Sequence, residues 1–257
     1  MYYPIQIPNI LDKAFSETIN YSEEIIPDFA DFVICLWEMR PLSNAGKTVE
    51  NIIVADGCID LVADYDGKRI GFAGMSKTEF HFKINLPSYS MGVRFKPGAF
   101  HAITNISAQE AMDTFLPIDG IDKNFDSKSF FALPFSEAKR FLVKYIGTML
   151  QNKKQNNYIA LFDELNESIP DTASEIYQKL YYSHRQCQRL FLKNYGLSPQ
   201  MILCILRFQK CLTILTSGKA GPHDVMDMLN YYDQSHFIND FKRNIGLTPF
   251  ELVRKYA

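Results

Sequence analysis

Two sets of polar side chains, fifty residues apart, have the types and the spacing to read the edges of DNA bases. Each set recurs every four residues, so its members share one face of a helix. The members are Arg185, Arg189 and Lys193 in the first set, and Ser235, Asn239 and Arg243 in the second. Arginine can bind guanine through two hydrogen bonds, asparagine can bind adenine likewise, and serine adapts to either. The spacing therefore predicts two polar helix faces suited to DNA.

The elements that carry these faces form an internal repeat. The segment SHRQCQRLFLKNYGLSP (183–199) aligns with DQSHFINDFKRNIGLTP (233–249), and such a repeat indicates one supersecondary unit used twice. Ser or Asp at the start is a good helix N-cap, and the Gly near the end suits the residue that follows a helix. We expect helices over about 184–195 and 234–245, each with apolar residues on the opposite face.

The neighbouring segments complete a helix-turn-helix layout. Helices are expected over 172–181 and 222–230, directly before the two polar faces. Residues 200–216 read as one continuous helix about 25 Å long. A rigid connection of that size could place two recognition helices about one DNA turn, roughly 34 Å, apart. The alternative for either copy alone is an ordinary helical pair whose polar face is solvated.

Composition and charge agree with two unlike halves. The chain has 257 residues and a net charge of −2, yet residues 1–170 carry −6 and residues 171–257 carry +4. A basic module beside an acidic one is thus expected. Five cysteines form no CxxC pair and read as reduced, buried thiols. No signal peptide or membrane segment is recognised, so we expect a cytoplasmic protein without membrane contact.

The first half reads as strands. Asp-Gly pairs at 56–57 and 66–67 are hairpin signals. Met91, Val93 and Phe95 alternate with Gly92 and Arg94, as in a half-buried strand. An amphipathic helix is predicted over 135–151. The expected fold is α+β with two domains: a small β-barrel or sandwich with flanking helices over 1–152, a linker at 153–157, and an all-α domain over 158–257.

Residues 158–257 resemble the C-terminal DNA-binding domain of AraC/XylS-type transcriptional regulators, which has two helix-turn-helix units joined by a long helix. The second unit, YYDQSHFINDFKRNIGLTPFELVRKY, follows the family signature closely, and the first matches in Gln188-Arg189-Leu190-Phe191 and Gly196-x-Ser198-Pro199. The resemblance implies a sequence-specific regulator of promoter or operator DNA. The implied DNA-binding residues are Arg185, Gln188, Arg189, Lys193, Gln234, Ser235, His236, Asn239, Lys242 and Arg243, with Lys242 and Arg243 nearer phosphate.

The sequence departs from the family pattern before each recognition helix. Tyr177 and Met226 stand where a small alanine is usual, and Tyr181 and Asn230 where glycine is usual. Asparagine tolerates the left-handed conformation that glycine supplies, whereas tyrosine does so poorly. The first unit is therefore expected to pack differently, with a less definite role in reading bases.

Residues 1–130 resemble, more faintly, the uncharacterised N-terminal domains of such regulators, in DGCIDLV (56–62) and GVRFKPGAF (92–100). By that resemblance they form a sensor, cupin-like in fold, that binds a small-molecule effector. Helix 135–151 would then serve dimerisation or interdomain contact, or simply cover the barrel. A homodimer is one expectation, and contact with RNA polymerase is another if the protein is an activator.

Two other interpretations remain open at this point. One is a cupin-like small-molecule-binding or sugar-modifying enzyme with a helical interaction tail, and the other a DNA-binding protein without an effector. No catalytic or cofactor motif is recognised, so neither an enzyme nor a cofactor is expected. Glu79, His81 and His101 are the weak candidates for a metal site. Asp60 and Asp64 are expected beside turns, and Trp37 in the core.

Overall fold

The computed structural model describes residues 1–6, 13–42, 46, 48–78, 80–154, 156–229, 231 and 233–256. Glu79, Asn230 and residue 155 of the expected linker lie outside the described residues. The chain has the expected two parts, a β-rich N-terminal domain and a helical C-terminal domain.

The N-terminal domain is built on an antiparallel sheet. Its strands are β1 (Ile19–Glu24), β2 (Val33–Pro41), β3 (Thr48–Ile53), β4 (Ile59–Asp64), β5 (Arg69–Ala73), β6 (Phe80–Asn85), β7 (Ser90–Phe95) and β8 (Phe115–Pro117). Six of them form one sheet in the order β1-β2-β7-β4-β5-β8, and β3 pairs with β6 as a separate ribbon. Among the described strands, β1 and β8 are not paired with each other, so the sheet is open.

The β4–β5 hairpin follows from its Asp-Gly turn. Asp64 ends β4, and its Oδ1 accepts hydrogen bonds from the backbone N–H groups of Asp66 and Gly67 at 3.2 and 3.1 Å. A side chain bonded to the backbone two or three residues on is the usual stabilisation of such a turn. The prediction for Asp64 is confirmed.

The expected alternation in β7 is wrong. Residues Met91 to Phe95 are all buried, including Arg94, of which 6 % is exposed. On the face of Gly92 and Arg94, a Cβ on Gly92 would lie 2.5 Å from Cζ2 of Trp37 in β2, and Arg94 Nη1 lies 3.1 Å from Glu23 Oε1 of β1. Alternation of apolar and polar residues is expected only where one face of the strand meets solvent. Neighbours that are distant in sequence cover that face of β7.

Helices flank this sheet. They are α1 (Lys13–Thr18), α2 (Ala99–Thr104), α3 (Ala108–Ala111), α4 (Ser127–Ala132) and α5 (Phe135–Leu150). Helix α5 confirms the predicted amphipathic helix: Ala138, Leu142 and Ile146 are fully buried in the main core. The rings of Phe125 and Tyr145 meet edge to face at 4.8 Å beside it. Its apolar face therefore packs on its own domain.

The C-terminal domain contains seven helices in the described residues. They are α6 (Asn157–Glu167), α7 (Ala173–Leu180), α8 (His184–Tyr195), α9 (Pro199–Thr216), α10 (Pro222–Met228), α11 (Gln234–Ile245) and α12 (Pro249–Tyr256). Helices α7 and α8 form the first helix-turn-helix unit, α10 and α11 the second, and α9 joins them. The predicted helical pattern is confirmed to within two residues at each end.

The two units differ by one residue in the turn. The N-caps of the first helices, Thr172 and Gly221, are 49 residues apart, whereas those of the recognition helices, Ser183 and Asp233, are 50 apart. The buried core residues Ile176 and Val225 keep the offset of 49. The turn of the second unit is thus one residue longer. The shift of 50 that aligns the recognition helices does not apply to the helices before them.

The described cysteines are all free thiols, four of them buried and Cys204 partly buried. Within the described part of the chain, no helix is long and apolar enough to cross a membrane.

Candidate DNA-binding surface

Helix α8 carries the first polar face because its ends are fixed by side-chain caps. Ser183 Oγ accepts from the Gln186 N–H at 3.3 Å, and Gln186 Oε1 accepts from the Ser183 N–H at 3.0 Å, which is a capping box. Gly196 ends the helix at φ 71°, a left-handed conformation that glycine adopts without strain. Cys187, Phe191 and Tyr195 are buried. The predicted binding residues Arg185, Arg189 and Lys193 are exposed, and Gln188 is partly exposed.

Helix α11 repeats this construction. Asp233 Oδ1 accepts from the His236 N–H at 2.7 Å, and Gly246 ends the helix at φ 72°. Phe237, Phe241 and Ile245 are buried on its inner face. The opposite face is exposed and holds Ser235, His236, Asn239, Lys242 and Arg243, whereas Gln234, also exposed, lies in the first turn on the same side as Phe237.

The cations on the two faces are free to meet an external anion. Arg185, Arg189, Lys193, Lys242 and Arg243 form no ion pair with any residue that the structure describes. Elsewhere in the C-terminal domain, Lys179 is paired with Glu164 at 2.8 Å. Unpaired Arg and Lys side chains are the groups that neutralise DNA phosphates, so the two faces suit a duplex.

Helix α9 holds the two units in a fixed relation. It runs for 18 residues, about 27 Å, without interruption. Leu203 and Leu206 lie in the same core as the α8 residue Phe191. Phe208 and Leu215 belong to a second core with Phe237 and Phe241. One stiff helix therefore takes part in the hydrophobic cores of both units.

The first unit is also attached to the N-terminal domain, through the side away from its polar face. Helix α8 packs on α2 and α3. Tyr195 of α8 packs against Gly98, the residue before α2, where an added Cβ would lie 3.3 Å from Tyr195 Cε1. A Cβ on Gly196 would lie 2.8 Å from the Ala108 carbonyl oxygen, so only glycine fits this contact. The exposed cations of α8 stay accessible because the attachment uses its C-terminal end.

A buried charge cluster in the N-terminal sheet was not foreseen from the sequence. Arg94 Nη1 lies 3.1 Å from Glu23 Oε1, and its Nε lies 3.5 Å from Asp60 Oδ2 and 3.9 Å from Asp56 Oδ2. Trp37, buried as predicted, donates from Nε1 to Asp60 Oδ2 at 2.7 Å. The cluster spans β1, β2, β7 and β4, so no local sequence pattern could have revealed it.

Asp60 lies inside β4, and the expectation that it flanks a turn is wrong. Burial raises the pKa of its carboxyl to about 6, although Arg94 acts in the opposite direction. Desolvation disfavours the ionised form of a carboxyl group. One acidic group of this cluster therefore titrates close to the physiological range.

The metal candidates are not brought together. His81 Nδ1 lies 3.4 Å from Glu50 Oε1, across the β3–β6 ribbon. His101 Nδ1 lies 2.8 Å from the Ile106 carbonyl oxygen. Glu79 lies outside the described residues. Among the residues that the structure does describe, no group of three His, Cys, Asp or Glu could hold a metal ion.

Comparison with known families gives one match in each half of the chain. Residues 176–255 match the family described as "Helix-turn-helix domain", and residues 26–117 match "Domain of unknown function (DUF6597)". A search of curated proteins found no match.

The chain shows weak similarity to several solved structures. The C-terminal domain of AraT, a response regulator from Geobacillus stearothermophilus, is 21% identical with a TM-score of 0.34, over 36% of this chain and 79% of that one. Apo ToxT from Vibrio cholerae, a single-site variant, is 11% identical with a TM-score of 0.43, over 93% and 97%. ToxT with bound unsaturated fatty acid is 11% identical with a TM-score of 0.40, over 92% and 93%. Because these identities and TM-scores are low, the helix-turn-helix classification rests on the family match over residues 176–255.

Proposed function

We infer that this chain, whose AraC-type helix-turn-helix domain follows a DUF6597 domain, regulates transcription by placing α8 and α11 in successive major grooves. The observation that carries the proposal is the pair of exposed polar faces with unpaired cations on two helices that share one scaffold, α9. Recognition helices one helical turn of DNA apart meet the major groove on the same side of the duplex.

The residues divide by their positions on the two helices. Gln188 and Arg189 of the first unit, and His236 and Asn239 of the second, are proposed to contact base edges, as are Arg185, Gln234 and Ser235. Lys193, Lys242 and Arg243 lie toward the C-terminal ends of α8 and α11 and are proposed to contact phosphates. Base contacts give specificity, and phosphate contacts fix the protein on the duplex.

The N-terminal part is proposed to sense a small molecule or to mediate dimerisation. We place its boundary at 1–152, with a linker at 153–157 and the DNA-binding domain at 158–257. A cytoplasmic location follows if the partner is chromosomal DNA, and contact with RNA polymerase follows if the regulator activates.

Fluorescence anisotropy with labelled duplexes tests the proposed function. The full-length protein is titrated onto the DNA upstream of its own gene and onto a scrambled duplex, from about 50 to 200 mM salt, where phosphate-driven binding weakens steeply. Preference for the upstream DNA that persists at the higher salt supports the proposal. Absence of binding to both duplexes at the lowest salt contradicts it. Asn239→Ala should lower the preference for the upstream DNA without changing the thermal midpoint of unfolding.

A further inference from the structure

Three side chains meet at the start of the first recognition helix. The rings of Tyr177, from α7, and His184, from α8, meet edge to face with centroids 5.0 Å apart and planes at 72°. The side-chain Nε2 of Gln188 lies 3.5 Å from Nε2 of His184. Burial raises the pKa of the Tyr177 hydroxyl, and the nearby Gln188 side chain acts in the opposite direction. Gln188 is thus restrained by two neighbours on the face proposed to meet DNA.

The contact with His184 engages the amide nitrogen of Gln188. A side-chain amide has two N–H donors and one carbonyl acceptor. With one N–H directed at His184, a second N–H and the carbonyl oxygen remain, and no described residue bonds to that oxygen. One donor beside one acceptor is the pattern that matches adenine N7 and N6–H₂ in the major groove.

The second unit lacks this arrangement. The residues at the corresponding positions are Met226, Gln234 and Ile238, and Ile238 has no hydrogen-bonding group. Tyr177 also replaces the small residue that AraC-type units usually carry. Its ring is only partly buried, so its contacts are with His184 and Gln188 at the surface rather than with the core. The position of Tyr177 beside Gln188, a residue proposed to read a base, explains why a large side chain stands here.

We propose that Tyr177 and His184 are positioning residues that hold Gln188 ready to read an adenine in the half-site of the first unit. The inference rests on the proposed function, because it names the base that one of its residues recognises. It also gives the first unit a defined base preference, in place of the uncertain role that its departures from the family pattern suggested.

Selection from a randomised duplex pool tests this inference, since it requires no operator of known sequence. The full-length wild type is compared with Gln188→Ala, Tyr177→Ala and the control Tyr182→Phe, at an exposed tyrosine of the same turn. The wild type should select adenine at one position about tenfold over the other bases. Gln188→Ala and Tyr177→Ala should reduce that preference below about threefold at this position and leave the other positions unchanged. Tyr182→Phe should select as the wild type does.

Two results would overturn the inference. One is that Gln188→Ala selects the same sequences as the wild type. The other is that Gln188→Ala loses a preference for a base other than adenine. If Tyr177→Ala lowers the thermal midpoint, Tyr177→Phe and His184→Ala replace it; full retention of the adenine preference in both removes the positioning role. A wild type that selects no sequence refutes the proposed function as well. A wild type whose selection changes with Asn239→Ala but not with Gln188→Ala refutes this inference alone.

Discussion

The side-chain amide of Gln209 donates a hydrogen bond to the carbonyl oxygen of Ala55 at 3.0 Å and thereby joins the scaffold helix α9 to the N-terminal domain. The same side chain accepts through Oε1 from the Ile5 N–H at 2.8 Å. Only 4 % of Gln209 is exposed. A buried amide satisfied by backbone groups of another domain fixes the relative position of the two, because its loss leaves several polar groups without partners.

Gln209→Leu should therefore lower the free energy of unfolding by about 1–3 kcal/mol, the usual cost of stranding buried polar groups. Urea denaturation followed by circular dichroism measures the change. Gln200→Leu, at an exposed position on the same helix, is the matched control and should stay within about 0.5 kcal/mol. Equal effects of the two substitutions would show that the interdomain bonds contribute nothing.

Tyr181→Gly should stabilise the protein by about 1 kcal/mol. Tyr181 has φ 54° at the C-terminal end of α7, and 96 % of the residue is exposed, so a left-handed backbone costs energy that no packing offsets. The sequence predicts that tyrosine adopts the left-handed conformation at this position only at an energetic cost. The structure shows that Tyr181 adopts this conformation nonetheless. Asn105→Gly, at φ 62° after α2, should gain less because asparagine tolerates that region. Thermal midpoints distinguish the two, and a lower midpoint for Tyr181→Gly would refute the prediction.

Asp60→Asn should change the pH dependence of stability. The folded-state pKa of about 6 exceeds the unfolded value near 4, so the folded state holds the proton more tightly. This contribution to stability is present below about pH 4 and is lost as the pH rises to about 6. The free-energy difference between wild type and Asp60→Asn should fall across that interval and stay level above it. Denaturation from pH 4 to 7 measures it, with Asp31→Asn, at an exposed position, as control; a difference independent of pH would contradict the assignment.

Lys242→Gln and Arg189→Ala should weaken DNA binding in different ways. Loss of a phosphate contact should reduce affinity for all sequences and lower the salt slope by about 1. Loss of a base contact should cost about 1–3 kcal/mol at one base pair only. Titrations on single-base-pair variants at several salt concentrations separate the two effects, and Lys68→Gln in the N-terminal domain serves as control. A salt slope unchanged by Lys242→Gln would remove that residue from the interface.

The helix-turn-helix units could be predicted because their signals are local. Ser183 and Asp233 cap the helices that they were expected to cap, and Gly196 and Gly246 end them in the left-handed conformation. The spacing of the apolar residues fixes which side of α8 and α11 is buried, and hence which polar residues face outward. Caps and helical periodicity act within a few residues, so one sequence contains them completely.

The extra residue in the second turn shows where local patterns cease to be informative. An alignment at a fixed shift of 50 does not contain it, and the N-caps and core residues of the preceding helices, which keep an offset of 49, locate it in the turn. The charge cluster of Arg94 and Asp60 joins side chains from β1, β2, β4 and β7, which are distant in sequence. Alternation of apolar and polar residues along a strand indicates that one face of the strand is covered. It cannot indicate that side chains from distant strands cover the other face.

The sequence by itself determined the two helical repeats, their polar faces and their scaffold, because helix caps and the 3.6-residue period are properties of short segments. Only the tertiary structure decided how the domains are joined through Gln209, which charges the sheet buries, and which neighbours restrain Gln188. Those features depend on side chains that meet from distant parts of the chain, and their free energy comes from desolvation and hydrogen bonding at each meeting point.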